Sequence, residues 1–324
     1  MRSASPGSPV LVVTRLDDVT GDLVVMELGK RGVPVVRLDP GDFPGAVTVS
    51  ATFGGRGMAG TLRTASRNIA LHEIRSVYWR RPGAYDAPGL EAQDARWCVE
   101  QARFGLGGIL ASLPGAHYVN HPHRNRDAEY KPIQLSTAAQ CGLTVPATLV
   151  TNDPVEARRF ASRAEPVIYK PLWNGDYFGA DGRAQTVWVE EVDPSTLDGG
   201  ISVTTHLFQE RVKKVADVRV TAVGRELFAV RIDGARGLDW RREYDALSYM
   251  LVAVPSEVIQ GIGRYLDTFG LVFDAFDFGL DVDGQWWFYE CNPNGQWAWF
   301  PDRITDCITV ALADQLQFGG RDDR

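Results

Sequence analysis

The chain has few cysteines, and none of them is placed as in a disulfide framework or a zinc site. Its 324 residues include four cysteines and five histidines, with no CxxC pair and no metal-like grouping of the two residue types. Cysteines this sparse are typical of proteins in a reducing compartment. We therefore expect free thiols and a cytoplasmic protein.

Long apolar runs and an excess of positive charge are also missing. No stretch is as long as the ~18 apolar residues that a membrane-spanning helix needs, and the N-terminal MRSASPGSP lacks the apolar core of a signal peptide. The formal net charge is −7, which does not suit a polyanionic partner. Neither a membrane nor a nucleic acid is expected to bind this chain.

Two common nucleotide signatures are absent as well. The turn after the first predicted strand, from Arg15 to Gly21, contains no GxGxxG, so a dinucleotide site is not expected there. The loop after Lys170 does not match GxxxxGK[ST]. If the chain binds a nucleotide, its fold is therefore expected to be neither a dinucleotide-binding nor a P-loop fold.

The chain does have the composition of a globular α/β protein large enough for two or three subdomains. Hydrophobic residues make up 44% and charged residues 23%. A strand at 10–14, a helix at about 20–31 and a strand at 34–39 predict an opening β-α-β unit. The character of the sequence changes most sharply near residue 120.

Beyond residue 120 the pattern predicts further helices and strands. Gly270 is expected to end the helix over 256–270, which Ser256 would cap. The segment GARGLDWRREYDALSYMLV is expected to be a loop and irregular structure. Other predicted elements are a helix over about 126–141, strands at 142–150, 166–172 and 186–192, three β-rich segments between 205 and 233, and a closing helix over 308–320.

One stretch near the C-terminus carries a possible metal site. FDFGLDV, a DG turn and WWFYECN predict a β-hairpin. Glu290 and Asn292 are two residues apart and share a strand face, and Asp277 is placed so that the hairpin brings it opposite Glu290. Two carboxylates and an amide oxygen are ligands suited to Mg²⁺. The alternative is a polar strand end beside a loop-closing turn.

Two lysines are candidate phosphate ligands. Lys131 lies at the start of a predicted helix, and Lys170 ends an apolar strand that precedes Gly175, Gly179 and Gly182. An ammonium group and glycine N–H groups suit an anion. Two ordinary surface lysines are the alternative interpretation.

The segment LFQERV and the strands after it supply further polar groups. An extended LFQERV would offer backbone groups and the Glu210 carboxylate to an adenine edge. Asp217 and Arg219 share a strand face, which Arg231 and Arg241 are expected to join; arginines facing carboxylates suit phosphate or carboxylate recognition. Solvated strand-face charges are the alternative.

The order of these features resembles the ATP-grasp superfamily over about residues 120–315. A narrower resemblance, to the graspetide synthetases that mature ribosomally made peptides, extends over nearly the whole chain. The motifs that carry it are YWRRP (78–82), EYKPIQLSTAAQCGLTVPATLVTND (129–153), YKPL (169–172), FQERV (208–212), DVRVTAVG (217–224), LDWR (238–241) and ECNPNGQWAWF (290–300).

The resemblance implies an α/β ATP-grasp fold behind an N-terminal β-α-β pre-ATP-grasp domain. The implied division is a pre-ATP-grasp domain at 1–120, a central subdomain at 121–205 with a leader-peptide surface, and a C-terminal subdomain at 206–324. The implied roles are ATP phosphate binding by Lys131 and Lys170, adenine binding by Glu210 and the Val212 backbone, ribose contact by Asp217, Mg²⁺ binding by Asp277, Glu290 and Asn292, and γ-phosphate or acyl-phosphate stabilisation by Arg219 and Arg241.

The implied activity is ATP- and Mg²⁺-dependent macrocyclisation of a precursor peptide made of a leader and a core. Side-chain carboxylates would be joined to Ser/Thr hydroxyls or Lys amines, and the family suggests a homodimer. A free-standing amino-acid or peptide ligase and a nonenzymatic ATP-binding regulator are the alternatives. YWRRP and NPNGQWAW favour the peptide macrocyclase, and the presence of both lysines and all three metal ligands disfavours the regulator.

Overall fold

The computed structural model describes residues 7–55, 57–163, 165–173, 175, 177–235, 237–242 and 244–319. The described helices are α1 Val19–Lys30, α2 Ala92–Leu110, α3 Pro122–Ala128, α4 Lys131–Gln140, α5 Pro154–Ala161, α6 Ser256–Phe269 and α7 Asp302–Phe318. No helix in these ranges is long and apolar enough to cross a membrane.

The chain opens with the predicted β-α-β unit. Four strands form a parallel sheet in the order β2-β1-β6-β7. All four residues of β1 are buried, as the apolar run VLVV requires in a sheet covered on both faces. The strands of this part, including the separate sheet β3-β4-β5, are β1 Val10–Val13, β2 Val35–Leu38, β3 Thr48–Gly54, β4 Gly57–Arg63, β5 Asn68–Ala70, β6 Ser76–Trp79 and β7 His117–Val119.

A second sheet follows, with the strand order β12-β9-β13-β8. β13, which contains Glu210, pairs with both β8 and β9, so the predicted adenine hinge lies at the end of this central sheet. The strands, with a small hairpin β10-β11 beside them, are β8 Thr148–Thr151, β9 Val167–Lys170, β10 Tyr177–Phe178, β11 Ala184–Gln185, β12 Glu190–Glu191 and β13 His206–Glu210.

The third sheet has the order β16-β15-β14-β17-β18 and is antiparallel throughout. Gly284, with φ of 81°, lies in the turn of the predicted DG hairpin between β17 and β18. Gly270 ends α6 in the left-handed conformation, as predicted, but Pro255 rather than Ser256 precedes the helix as its cap residue. The strands are β14 Lys214–Val223, β15 Glu226–Asp233, β16 Ser248–Leu251, β17 Phe273–Asp281 and β18 Trp286–Asn292.

Some predicted elements were wrong. The single helix over 126–141 is two helices, because Pro132 has no N–H to donate to Ala128 O four residues earlier, so α3 ends at Ala128 and α4 begins after an extended Tyr130. The strand at 186–192 is reduced to β12, a two-residue edge strand. β16 lies in the segment predicted to be irregular, and α7 begins at Asp302 rather than at 308.

Candidate functional site

The register of the third sheet brings three predicted site residues into one row. Asp277 on β17 lies opposite Glu290 on β18, as the hairpin predicted, and opposite Arg219 on β14. All three side chains are buried, with 4–8% of each residue exposed. The centre of the site is therefore a row of charged groups across three adjacent strands.

Cations from three different elements hold the two carboxylates. Arg219 Nη1 donates to both oxygens of Asp277 at 2.7 Å. Arg241 Nη2 lies 3.0 Å from Asp277 Oδ2 and 3.8 Å from Glu290 Oε1. Lys131 Nζ, from the first residue of α4, lies 2.9 Å from Glu290 Oε2. The structure thus brings these predicted residues together.

These contacts decide the charge states. Burial works to raise the pKa of the Glu290 carboxyl, but Lys131 and other cations beside it outweigh burial and hold that pKa well below its ordinary value. Burial works to lower the pKa of Arg241, yet Asp277 and Glu290 outweigh it and raise that pKa. Glu290 and Arg241 are both charged at neutral pH.

Asn292 completes the candidate metal ligands. It lies opposite Ala275 on β17, and its Nδ2 is 3.3 Å from Asp277 Oδ2. Half a turn of the amide would present its oxygen instead. Within the described residues no group of three or more His, Cys, Asp or Glu side chains has the geometry of a metal site; here the donors are two carboxylates and an amide, a set that fits Mg²⁺ when phosphate oxygens and water complete the shell.

Lys170 lies on an aromatic platform that the sequence analysis missed. Its Nζ is 5.1 Å from the centroid of the Tyr289 ring. A register irregularity after Asp277 leaves Tyr289 without a partner on β17, next to Glu290. Burial lowers the pKa of Lys170, and Glu290 opposes this in part. The four adjacent aromatic residues WWFY before Glu290 were the available signal.

The adenine-hinge residues border a cavity of about 300 Å³. Glu210 and Val212 line it together with Trp287. The backbone N–H of Glu210 already donates to Ala147 O at 2.8 Å, so the side chain and carbonyl remain to contact a base. Trp287, which donates to Asp281 Oδ2 at 2.8 Å, is a second lining residue that sequence reasoning missed.

Asp217 lies near the hinge but is held by a lysine. Lys214 Nζ lies 2.7 and 2.8 Å from its two oxygens and also donates to Leu238 O at 2.9 Å. Burial raises the pKa of Asp217, and Lys214 opposes that rise. Both residues line a smaller cavity of about 140 Å³ beside the hinge. Its position is compatible with a ribose contact.

Two sets of predicted residues do not join the site. Arg231 lies opposite Val218, on the other face of the sheet from Arg219, and forms an ion pair with Asp233 at 2.8 Å. The N–H groups of Gly179 and Gly182 donate at 2.9 Å to carbonyls within the β10-β11 turn. Neither glycine N–H is therefore available to an anion in this conformation.

The two motifs that pointed to peptide maturation contact each other. Arg80 of YWRRP donates from Nη1 to Gly295 O at 3.2 Å and from Nη2 to Gln296 Oε1 at 2.8 Å. Asn125 Nδ2 donates to Asn294 Oδ1 at 3.0 Å. The loop after the metal-site hairpin is thus fastened to the N-terminal part, a long-range contact that no local pattern signals.

Comparisons with known proteins agree with this architecture. A family model described as the MvdD pre-ATP-grasp domain matches residues 9–126. A RiPP-associated ATP-grasp ligase from Chryseobacterium gregarium, solved with ADP and a leader and core peptide, is 26% identical over 95% of this chain and 96% of that chain, with a TM-score of 0.87. Among curated proteins no sequence matches the chain.

Two macrocyclases from Microcystis aeruginosa MRC are also similar. MdnC, solved with the precursor peptide MdnA, is 26% identical over 95% of this chain and 98% of that chain, with a TM-score of 0.83. MdnB is 28% identical over 96% of this chain and all of that chain, with a TM-score of 0.80.

The fold, the charged site and these likenesses define the class of this protein. It is an ATP-grasp carboxylate ligase with a pre-ATP-grasp domain in front of the ATP-grasp part. Within that class the chain is most readily compared with the graspetide synthetases, the peptide-modifying ligases that its motifs resemble and to which these solved structures are similar.

Proposed function

We propose that this ligase macrocyclises a ribosomally made precursor peptide in an ATP- and Mg²⁺-dependent reaction. The observation that carries the proposal is the row of Arg219, Asp277 and Glu290 across three strands, with Lys131 and Arg241 beside it. Such a site suits phosphoryl transfer, because catalysis there consists mostly of positioning and charge neutralisation.

In the first step an Asp or Glu side chain of the peptide attacks the γ-phosphorus of ATP. The bond between that phosphorus and the β–γ bridging oxygen breaks, giving ADP and an acyl phosphate. Lys131 and Lys170 would bind the phosphates, and Arg219 and Arg241 would balance the charge that develops on the transferring group. Asp277, Glu290 and Asn292 would hold Mg²⁺, which neutralises phosphate charge when bound.

In the second step a Ser/Thr hydroxyl or a Lys amine of the same peptide attacks the acyl carbonyl. The carbon–oxygen bond to phosphate breaks, phosphate leaves, and an ester or amide closes the ring. Glu210 and the Val212 backbone would hold adenine and Asp217 the ribose side, which keeps the nucleotide fixed through both steps. The proton that the hydroxyl or amine loses ends on the released phosphate, which balances the step.

The wider setting is part of the same proposal. We place the leader-peptide surface between about residues 130 and 205, and the protein in the cytoplasm as a homodimer, with neither nucleic acid nor membrane as a partner. Domains at 1–120, 121–205 and 206–324 remain the working division. The match to a pre-ATP-grasp domain over residues 9–126 supports the first of these domains. The leader and core peptide bound to a similar ligase support the proposed leader-peptide surface.

Mass spectrometry tests the reaction. A short open reading frame next to the gene, with repeated Thr and Asp/Glu, would supply the peptide, which is incubated with the protein, ATP and Mg²⁺. Each ester or amide formed removes one water. Unchanged peptide mass, with ATP consumed instead when a free amino acid or small peptide is added, would favour the alternative, a ligase acting on a small molecule or a protein C-terminus.

A further inference from the structure

Arg80 is a buried arginine, and each of its three side-chain nitrogens donates a hydrogen bond inside the protein. Only 2% of it is exposed. Nε and Nη2 donate to the Asp18 carboxylate at 3.1 and 3.3 Å, while Nη1 and Nη2 reach Gly295 O and Gln296 Oε1 at 3.2 and 2.8 Å. Thr20 Oγ1 donates to the same Gln296 oxygen at 2.5 Å. Arg80 therefore connects Asp18 with Gly295 and Gln296, and all three of its nitrogens take part.

The loop that Arg80 holds, residues 293–296, lies directly against the charged row. Arg219 Nη2 is 3.5 Å from Gln296 O, at the limit of a hydrogen bond. A Cβ placed on Gly295 would lie 2.6 Å from the same Arg219 nitrogen, so only glycine leaves room for the guanidinium. Arg219 in turn fixes both oxygens of Asp277. The loop thus contacts Arg219, and Arg219 in turn contacts Asp277.

Stability alone is a weak reason for a buried pair such as Arg80 and Asp18. In many proteins the free energy lost by desolvating two buried charges is as large as the free energy gained from their attraction. Replacing such a pair by apolar side chains therefore often leaves the stability unchanged. An apolar side chain at position 80 would not form the hydrogen bonds that Arg80 donates to Gly295 O and Gln296 Oε1.

We propose that Arg80 is a positioning residue of the site, acting from the N-terminal domain through the 293–296 loop on Arg219 and Asp277. The inference rests on the proposed function only in taking Asp277 as a Mg²⁺ ligand. Through this contact the pre-ATP-grasp domain becomes part of the metal site's support, although none of its described side chains touches Asp277.

The test is ADP binding by calorimetry at a series of Mg²⁺ concentrations, without peptide. In Arg80→Met the Mg²⁺ concentration at half-maximal ADP affinity is expected to rise about tenfold, the lower end of what loss of a supporting contact around a metal ligand costs. ADP affinity in excess EDTA is expected to stay as in the wild type. Arg80→Lys keeps the charge beside Asp18 with fewer donors and is expected to give an intermediate value.

Two further variants separate positioning from general loosening. Gly295→Ala places a Cβ 2.5 Å from Ala275 Cβ and 2.6 Å from Arg219 Nη2, so it moves the same loop and the same guanidinium. Its effect and that of Arg80→Met should not add in the double variant. Arg31→Met is the matched control, because Arg31 pairs with Asp314 at 2.5 Å across the same N-terminal to C-terminal junction, away from the loop. Its Mg²⁺ dependence is expected to equal the wild type.

The proposal would be overturned by a wild-type Mg²⁺ midpoint in both Arg80→Lys and Arg80→Met, or by fully additive effects of Arg80→Met and Gly295→Ala. If Arg80→Met does not fold, Arg80→Lys and Gly295→Ala decide the question. The proposal is also contradicted if the ADP affinity of the wild type does not depend on the Mg²⁺ concentration. Binding that depends on Mg²⁺ in a protein that does not dehydrate a precursor peptide would contradict the macrocyclase instead and leave the role of Arg80 standing.

Discussion

Asp277 is the residue on which the charges of the site converge. Two arginines, Arg219 and Arg241, contact its carboxylate, while Lys131 contacts Glu290. Asp239 also pairs with Arg241 at 3.2 Å, so these three cations face three carboxylates, and Lys170 adds a further cation beside them. Because burial strengthens electrostatic interactions, this surplus suits the polyanionic phosphates of a nucleotide better than it suits a metal ion alone.

Glu290→Gln is the sharpest change at this scale. It removes the partner of Lys131 and one of the proposed Mg²⁺ ligands without altering shape, so dehydration of the peptide is expected to fall on the order of 100-fold or more. Affinity for the leader peptide, which binds elsewhere in our proposal, should stay within about twofold. Mass spectrometry gives the first quantity and fluorescence anisotropy of a labelled leader the second.

Asp306→Asn is the control for that variant, since it makes the same change of charge at an exposed position on α7. It should dehydrate the peptide at the wild-type rate. Activity retained in Glu290→Gln would argue against the assigned metal site. Loss of leader binding in that variant would mean that the carboxylate supports the peptide surface as well.

At the scale of the element, the β17-β18 hairpin is where the sequence was most informative. A DG turn flanked by alternating apolar residues is local, so the register that sets Asp277 opposite Glu290 could be predicted. The bulge at Tyr289 could not, because it depends on how Lys170 and Gly279 pack against it. The contact of Arg80 with Gln296, 216 residues away, is likewise invisible to local patterns.

The break between α3 and α4 is a different kind of miss. Pro132 stood in the sequence, and its missing N–H and the restriction on the residue before it predict a helix start. Helical periodicity was given more weight than the proline. The break matters for the site because it makes Lys131 the first residue of α4 and sets it beside Glu290.

Gly279→Ala tests the platform under Lys170. A Cβ at this position would overlap the Tyr289 ring, so the ring must shift and Lys170 loses its aromatic contact. We expect ATP affinity to fall about 3- to 30-fold, the size of one cation–π contact at a partly buried site, with little change in leader binding. Gly29→Ala, in α1 with open space around it, is the control and should bind ATP normally. Equal ATP affinity in both variants would exclude a role for the platform.

The opposite face of β17 carries a pH-sensitive group. Asp274 is fully buried, its Oδ2 has no described partner, and burial raises its pKa to about 7. The folded protein therefore binds a proton that the unfolded chain releases near pH 4, so stability falls as pH rises between these values and levels off above about 7. The fall is on the order of 4 kcal/mol.

Asp274→Asn should remove most of that fall, as urea unfolding of the protein without Mg²⁺ at pH 5 and pH 8 will show. Asp267→Asn, on the exposed side of α6, is the control, because its salt bridge with Arg225 is solvent-exposed. A wild type equally stable at both pH values would contradict the burial of an uncompensated carboxyl at this position.

At the scale of the whole molecule, the largest apolar core crosses the boundary between the N-terminal and C-terminal parts. Val12 and Leu28 of the opening β-α-β unit pack in one cluster with Phe273 and Ile308 from the far end of the chain. Asn120 adds hydrogen bonds to Val272 N and to the backbone of Phe273 at 2.7–2.8 Å. A core shared in this way ties the folding of the pre-ATP-grasp domain to that of the metal-site sheet.

We therefore expect one thermal transition for these two parts and a response of the whole transition to nucleotide. ADP with Mg²⁺ at 100 times its Kd should stabilise the protein by about 2.7 kcal/mol, a rise in Tm of several degrees. Calorimetry with and without the nucleotide measures this rise. Glu290→Gln leaves Lys131 and Arg241 without a buried partner, so it is expected to lower the Tm of the nucleotide-free protein and to reduce the rise that nucleotide produces. Two separate transitions, with ADP raising the temperature of only one, would show that the shared core does not couple the parts. In that case Leu28→Ala would lower the temperature of only the transition that ADP leaves unchanged.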